Sequence, residues 1–193
     1  MKRICIFCGA GTGKNPIYRE KARELGNRIA ELDWELVYGG SGIGIMGEVA
    51  DGVLEKGGYV RGILPEFLFK KEVGHSRIQE LEIVDSMHVR KLKMYEKADA
   101  FLILPGGIGT LDEFFEVFTW SQLDLHQKPI GIYNINSYYN KLVSFLEDTV
   151  KEGFFTEDIL NRLFVSETAE EILNKLKLAK TGMENPQDEE KFF

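Results

Sequence analysis

Nine residues, PGGIGTLDE from Pro105 to Glu113, set three glycines, a threonine and two acids directly after the apolar run Ala100-Phe101-Leu102-Ile103-Leu104. Glycines ahead of a helix start let backbone N–H groups approach an anion, and the unpaired amides of the first turn, with the helix dipole, favour a phosphate there. Gly106, Gly107 and Gly109 therefore form a candidate phosphate cradle, to which Thr110 adds a hydroxyl. Glu113 admits two readings that spacing alone leaves equal. It is either a negative charge available for chemistry, or the far end of a capping box, Thr110-Leu111-Asp112-Glu113. In a capping box it would reach back to the helix end and contribute on the order of 1 kcal/mol. Glutamine could replace it in the second role and not in the first.

A pair of cations extends the constellation. In the helical pattern at 87–97, a step of about 100° per residue puts Lys91 between Ala98 and Tyr95, inside the apolar sector, and Arg90 at its edge beside Met94. Snorkelling accounts for one such cation. Two adjacent cations at a helix start, where the dipole disfavours positive charge, point to a bound anion.

Other patterns carry less. Gly42-Ile43-Gly44-Ile45-Met46-Gly47 has the spacing of a dinucleotide fingerprint, with Glu66 roughly 20 residues on. It follows the second predicted strand rather than the first, however, and Glu66 falls in a loop after Pro65. Gly11-Thr12-Gly13-Lys14 lacks the first glycine of a P-loop, where Cys8 stands, and has Asn15 in place of the magnesium-binding hydroxyl. Cys5 and Cys8 are spaced as a redox pair, but three residues apart on a strand they face opposite ways, as two half-buried thiols would. His75, His88 and His126 show no metal-ligand spacing, so no metal is expected. No serine or cysteine sits in a nucleophile elbow.

These residues must be positioned by alternating strands and helices. Short apolar runs predict strands at 3–7, 35–38, 59–64, 82–85, 100–104, 129–133 and, more weakly, 163–165. Helical patterns fill 16–32, 45–56, 87–97, 110–123, 137–152 and 168–178. Such alternation gives an α/β fold, a single-domain Rossmann-like doubly wound, mostly parallel sheet with helices on both faces. Ligands then bind beyond the carboxyl ends of the strands. Three glycine loops gather there, carrying Gly9, Gly40 and the Gly106–Gly109 cradle. The charged stretch 65–79, without clear period, is expected as a loop over the site. Residues 1–180 read as one nucleotide-monophosphate-binding domain, and the polar, acidic 181–193 as a poorly ordered tail.

With 193 residues, a net charge of −7 and a pI near 5.1, the chain does not present the field that nucleic acid or a membrane surface attracts. No apolar run reaches the ~18 residues of a membrane span, and the apolar stretch after Lys2-Arg3 is too short for a secretory signal. A cytoplasmic protein is expected. In the helix at 110–123, Leu111, Phe114, Phe115, Val117, Phe118, Trp120 and Leu123 cover the whole circumference. A helix apolar on every side must be buried on every side. A homodimer is therefore expected, one side of this helix packing on a second subunit.

Met87-His88-Val89-Arg90-Lys91 followed by Pro105-Gly106-Gly107-Ile108-Gly109-Thr110-Leu111-Asp112-Glu113 closely resembles the Lonely Guy (LOG) family of cytokinin-activating phosphoribohydrolases. The resemblance continues through Thr119-Trp120-Ser121-Gln122-Leu123 and Lys128-Pro129-Ile130-Gly131, and covers 3–178. It implies a Rossmann-like fold and cleavage of the N-glycosidic bond of adenosine-type 5'-monophosphates, with or without an N6 substituent, to free base and ribose 5-phosphate, without a cofactor. Carried over by position, Arg90 and Glu113 are the catalytic pair. Glu72, Lys91, Gly107, Ile108, Gly109, Thr110, Leu111, Asp112 and Thr119 would touch substrate. Dimers or larger assemblies, with residues of both subunits near each site, are also implied. The family commonly has Cys-Gly-Ser-Ser after its first strand; here the chain has Cys8-Gly9-Ala10-Gly11, so a hydroxyl from that loop must come from Thr12.

Hydrolysis of a ribosyl C–N bond develops positive charge on the sugar. An ionised Glu113 would stabilise it and orient water, with Arg90 orienting Glu113, Lys91 offsetting the phosphate charge, and Met87 and Met94 walling the base. The alternative is a non-catalytic carrier of a phosphorylated ligand, like the molybdenum-cofactor carriers of related folds, which needs the cradle but no carboxylate at a sugar. The older lysine decarboxylase label finds no support in a lysine placed for a pyridoxal phosphate Schiff base.

Overall fold

The computed structural model describes residues 2–69 and 74–181. In chain order the elements are β1 (Arg3–Phe7), α1 (Ile17–Glu31), β2 (Glu35–Tyr38), α2 (Gly44–Glu55), β3 (Val60–Pro65), α3 (Glu66–Phe69), β4 (Glu80–Val84) and α4 (Met87–Lys97). There follow β5 (Ala100–Ile103), α5 (Ile108–Gln122), β6 (Ile130–Tyr133), a 3-10 turn at Ile135–Ser137, α6 (Asn140–Lys151), α7 (Glu157–Leu160), β7 (Leu163–Ser166) and α8 (Ala169–Thr181).

The seven strands form one sheet in the order β4-β3-β2-β1-β5-β6-β7, and every adjacent pair is parallel. The inner strands are continuous apolar runs because helices cover both faces of a parallel sheet; β5 and β6 are buried along their whole length. One core layer joins Ile4, Ile6, Leu36 and Leu102 to α1, α2 and α8. The other joins Cys5, Phe7, Phe101 and Ile103 to Met94 of α4, Phe114 and Val117 of α5 and Leu146 of α6. Cys5 and Cys8 fall in opposite layers as free, buried thiols, as their spacing on a strand requires.

Strand order reverses between β1 and β5, the switch point where the connections diverge and leave a crevice beyond the strand ends. The loops after these strands are tied together there: Leu104 N–H donates to Phe7 O at 3.0 Å and Gly9 N–H to Pro105 O at 3.1 Å. The glycine loops thus share one end of the sheet.

Some boundaries differ from the sequence expectation. The stretch at 65–79 holds the last residue of β3 and the single-turn α3, and is pinned at its far end by a bridge between Gly74 and Ser41. α6 begins at Asn140 instead of 137, because Asn136 and Ser137 adopt left-handed backbone, with φ of 53° and 57°. α5 begins at Ile108 instead of 110. The polar tail expected from 181 lies outside the described residues apart from Thr181, which closes α8. No helix among the described residues is long and apolar enough to cross a membrane.

Candidate active site

The end of β5 turns through Leu104, Pro105 and Gly106 into Gly107, the N-cap of α5, whose extended backbone carries no side-chain cap. The first amides of a helix have no intrahelical partner, so those of α5 open outward with the positive end of its dipole. Gly106 has to be glycine: a Cβ there would stand 2.1 Å from Thr110 Oγ1 and 2.9 Å from Gly9 N. The threonine hydroxyl is thereby folded over the turn.

Because α5 starts at Ile108, Thr110 is its third residue and not its cap. The capping-box reading of Glu113 therefore fails: the carboxylate stands well inside the helix, and its partner comes from another element. Arg90 Nη2 lies 3.3 Å from Glu113 Oε1, with both side chains about nine-tenths buried. Burial pushes the Glu113 carboxyl up to about 7, against the pull of Arg90 and with a further push from Asp112. A carboxyl poised there can change its charge near neutrality.

Arg90 arrives from the first turn of α4, which Ser86 caps by accepting from Val89 N–H at 3.3 Å. Its guanidinium lies across the end of β2, where Gly39 leaves room: a Cβ at Gly39 would be 2.2 Å from Nη2 and 2.9 Å from Met46 Sδ. Besides Glu113, the Arg90 head meets among the described residues only a weak acceptor, Met87 Sδ, 3.8 Å from Nη1, and Nε is buried without a partner among them. At 3.3 Å the pair is looser than the ~2.7 to 2.9 Å of a close charged hydrogen bond. Such an under-served guanidinium and a desolvated carboxylate suit a site completed by a ligand.

A cavity of about 520 Å³ opens beside this pair. Its lining runs from Cys8 to Gly13 and takes in Tyr18, Ile45, Met46, Leu68, Met87, Arg90, Pro105, Gly106, Gly107, Gly109, Thr110, Asp112, Glu113 and Tyr138. Met46 and Met87 flank the guanidinium, so an apolar wall adjoins the charged pair. Thr12 supplies the hydroxyl of the first loop, its Oγ1 donating to Gly13 O at 3.2 Å.

Of the residues singled out in the sequence, Arg90, Glu113, Gly9, Gly106, Gly107, Gly109, Thr110 and Asp112 meet around this cavity. Lys91 does not: its ammonium pairs with Asp112 at 2.9 Å and Glu116 at 3.3 Å on α5. It braces α4 against α5. Gly40 lies behind the wall, in left-handed backbone, its carbonyl accepting from His75 N–H at 3.0 Å. Leu111 packs on the second core layer, and Met94 is buried in that layer. Ile108 is 82% exposed and Thr119 is exposed farther along α5. Glu72 lies outside the described residues. Leu68, Tyr18 and Tyr138 are not apparent from the sequence, and Gly39 and Met46 appear there only as members of the second glycine loop and the dinucleotide-like pattern. Their contribution depends on what the fold brings opposite them, and only the Gly39-Gly40 pair after a strand was a visible signal.

The dinucleotide-like GIGIMG is occupied by the protein itself. Ile45 N–H donates to Gly9 O at 3.1 Å and Gly11 O at 3.2 Å, and Met46 N–H to Gly9 O at 3.3 Å. A pyrophosphate would need those same amides. His75 and His126 also have partners, Asp51 Oδ1 at 3.0 Å and Val117 O at 2.9 Å. Among the described residues no lysine lines the cavity.

Comparison with known proteins adds three observations. The family described as "Possible lysine decarboxylase" matches residues 46–176. The chain is 45% identical over 177 residues to cytokinin riboside 5'-monophosphate phosphoribohydrolase LOG7 of Arabidopsis thaliana, covering 91% of this chain and 81% of that protein. It is 42% identical over 176 residues to the LOG phosphoribohydrolase of Oryza sativa subsp. japonica, covering 91% and 73%. Among solved structures, the molybdenum cofactor binding protein of Rippkaea orientalis superimposes with a TM-score of 0.68 at 21% identity, covering 92% and 96% of the two chains. The Moco carrier protein of Chlamydomonas reinhardtii gives 0.69 at 19%, covering 95% and 100%.

Proposed function

From the premise that the chain belongs to the LOG family of cytokinin riboside 5'-monophosphate phosphoribohydrolases, we propose that it hydrolyses the N-glycosidic bond of adenosine-type 5'-monophosphates. The products are free base and ribose 5-phosphate. The observation that carries this reading is the buried Arg90–Glu113 pair, 3.3 Å apart, on the cavity wall where the uncapped start of α5 also opens.

The 5'-phosphate sits on the amides from Gly107 to Thr110, where the α5 dipole favours its charge. With that end fixed, the ribose reaches Glu113, in the second turn of the same helix, and the base lies against Met46, Met87 and Leu68. As the C1'–N bond breaks, positive charge grows on the sugar and electrons pass to the base. Ionised Glu113 stabilises the sugar and holds the water whose oxygen bonds C1'; one proton of that water passes to the departing base and the other stays on the new C1' hydroxyl. Arg90 keeps the carboxylate aimed and in part offsets its burial. A fixed charge at the point where charge develops is worth more in a dry site than in water.

The carrier reading loses ground on the same pair, since a carrier needs no buried carboxylate beside a cradle. The solved carriers share architecture at 19–21% identity, a likeness of fold alone.

We further infer a cytoplasmic homodimer acting on a small molecule, with neither nucleic acid nor membrane as partner. Its support is an apolar face on α4 and α5, where Val89, Leu92, Phe115 and Leu123 are 36%, 48%, 39% and 61% exposed. Thr119, exposed on α5, would then serve the partner's cavity instead of its own. Incubating purified protein with AMP and with N6-prenylated AMP and separating free base by chromatography tests the activity. Base release from either supports the reading, and release from neither removes it.

A further inference from the structure

Three successive carbonyls lead into the cradle, and each is held by a donor from outside the loop, two of them the neighbouring Tyr138 and Tyr139. Leu104 O accepts from Tyr139 Oη–H at 2.8 Å, Pro105 O from Gly9 N–H at 3.1 Å, and Gly106 O from Tyr138 Oη–H at 2.8 Å. Electrostatics explains the need. A carbonyl oxygen turned toward a phosphate repels it, whereas the amides of the next residues attract it. Glycine peptides rotate more freely than any others, so a glycine cradle needs an outside restraint to keep one orientation.

The two tyrosines come from a costly piece of backbone. Asn136 and Ser137, directly before Tyr138, are consecutive non-glycine residues in the left-handed region. Such conformations persist only where the surroundings impose them, and they gather at functional sites. Here Asn134 imposes this one. Its Oδ1 accepts from Tyr139 N–H at 2.8 Å and its Nδ2 donates to Asn140 Oδ1 at 2.7 Å, while Ser137 Oγ–H donates to Glu167 Oε1 at 2.9 Å. The turn projects Tyr138 into the cavity wall, its ring edge-on to Tyr18 at 5.7 Å between centroids. Tyr139 is buried, whereas Tyr138 is 45% exposed, more than a residue kept for packing alone would be.

We propose that Tyr138 is a positioning residue for phosphate recognition: its hydroxyl holds the Gly106 carbonyl out of the cavity so that the amides from Gly107 onward face the ligand's phosphate. The inference rests on the proposed reaction for the identity of the ligand and on the hydrogen-bond geometry for the residue. Tyr138→Phe keeps the ring against Tyr18 and removes one oxygen. It should raise KM for AMP and weaken ribose 5-phosphate binding by about five- to tenfold, the scale of one lost hydrogen bond. The kcat, the melting temperature and the inhibition constant of free adenine should not move. Calorimetry with ribose 5-phosphate, on wild type and variant, needs no turnover. If wild type released no base, the reaction assigned above would fail while this comparison still decided the role of Tyr138. Unchanged ribose 5-phosphate affinity, an equal loss for adenine, or a wild-type protein that binds no ribose 5-phosphate would each overturn the proposal.

Discussion

Arg90 Nη2 and Glu113 Oε1 lie 3.3 Å apart, brought from two helices to one cavity wall across the end of a third element, β2, whose following Gly39 has no side chain to obstruct them. The carboxylate is desolvated, and among the described residues the guanidinium has few other partners. The chemistry assigned to the chain depends on that meeting.

Replacing Glu113 by glutamine keeps the shape and removes the charge. If the charge stabilises the sugar in the transition state, kcat should fall several hundred-fold or more, as for the ~3 to 4 kcal/mol lost with comparable electrostatic contacts. The melting temperature should be preserved, because no volume is lost and a desolvated charge disappears. Steady-state kinetics beside a thermal melt checks both, and near-normal activity in a folded variant would remove the role.

The pH dependence has a definite sign. Burial raises the Glu113 carboxyl from 4.5 to about 7, so the folded protein binds a proton more tightly than the unfolded chain. Its contribution to stability is full below 4.5 and is lost as pH rises through about 7. Activity runs the other way, since the ionised form is required: kcat/KM should climb through about 7 and then level. Glu113→Gln should lose that limb of the rate profile along with the corresponding slope in stability.

Gly39→Ala would put a methyl group 2.2 Å from Arg90 Nη2, and the guanidinium must move. A displacement on the order of 1 Å costs about a hundredfold in rate. The expected result is a loss of kcat approaching that of Arg90→Ala with the fold retained, measured by kinetics and circular dichroism. Unimpaired turnover would show that the arginine's position is not critical.

Leu92→Asp with Phe115→Asp would place charges on the apolar face of α4 and α5, where the wild-type side chains are 48% and 39% exposed. Sedimentation should register a wild-type dimer and a monomeric double variant. A wild-type monomer would contradict the subunit contact.

Much of the fold was legible because its strands are short apolar runs and its long helices keep a clear apolar stripe. β1, β2 and α4 fall on their expected residues. The single-turn α3 and α7 were not legible, since four residues are too few to show a helical period. Neither was the late start of α6, imposed by Asn134 on a backbone that Asn136 and Ser137 would not choose alone. At the site, PGGIGTLDE was visible as a local pattern. Sequence could not decide between the two roles of Glu113, because they differ by where α5 begins and by an arginine from another helix. The apolar-sector position of Lys91 goes with its pairing to Asp112 and Glu116, which only packing brings opposite it.

The most direct test is a crystal structure of Glu113→Gln with AMP bound. The account predicts phosphate oxygens on the amides from Gly107 to Thr110 and C1' within about 3 to 3.5 Å of the residue 113 side chain or of a water it holds. A phosphate seated elsewhere, or a residue 113 side chain turned away from the ribose, would contradict it.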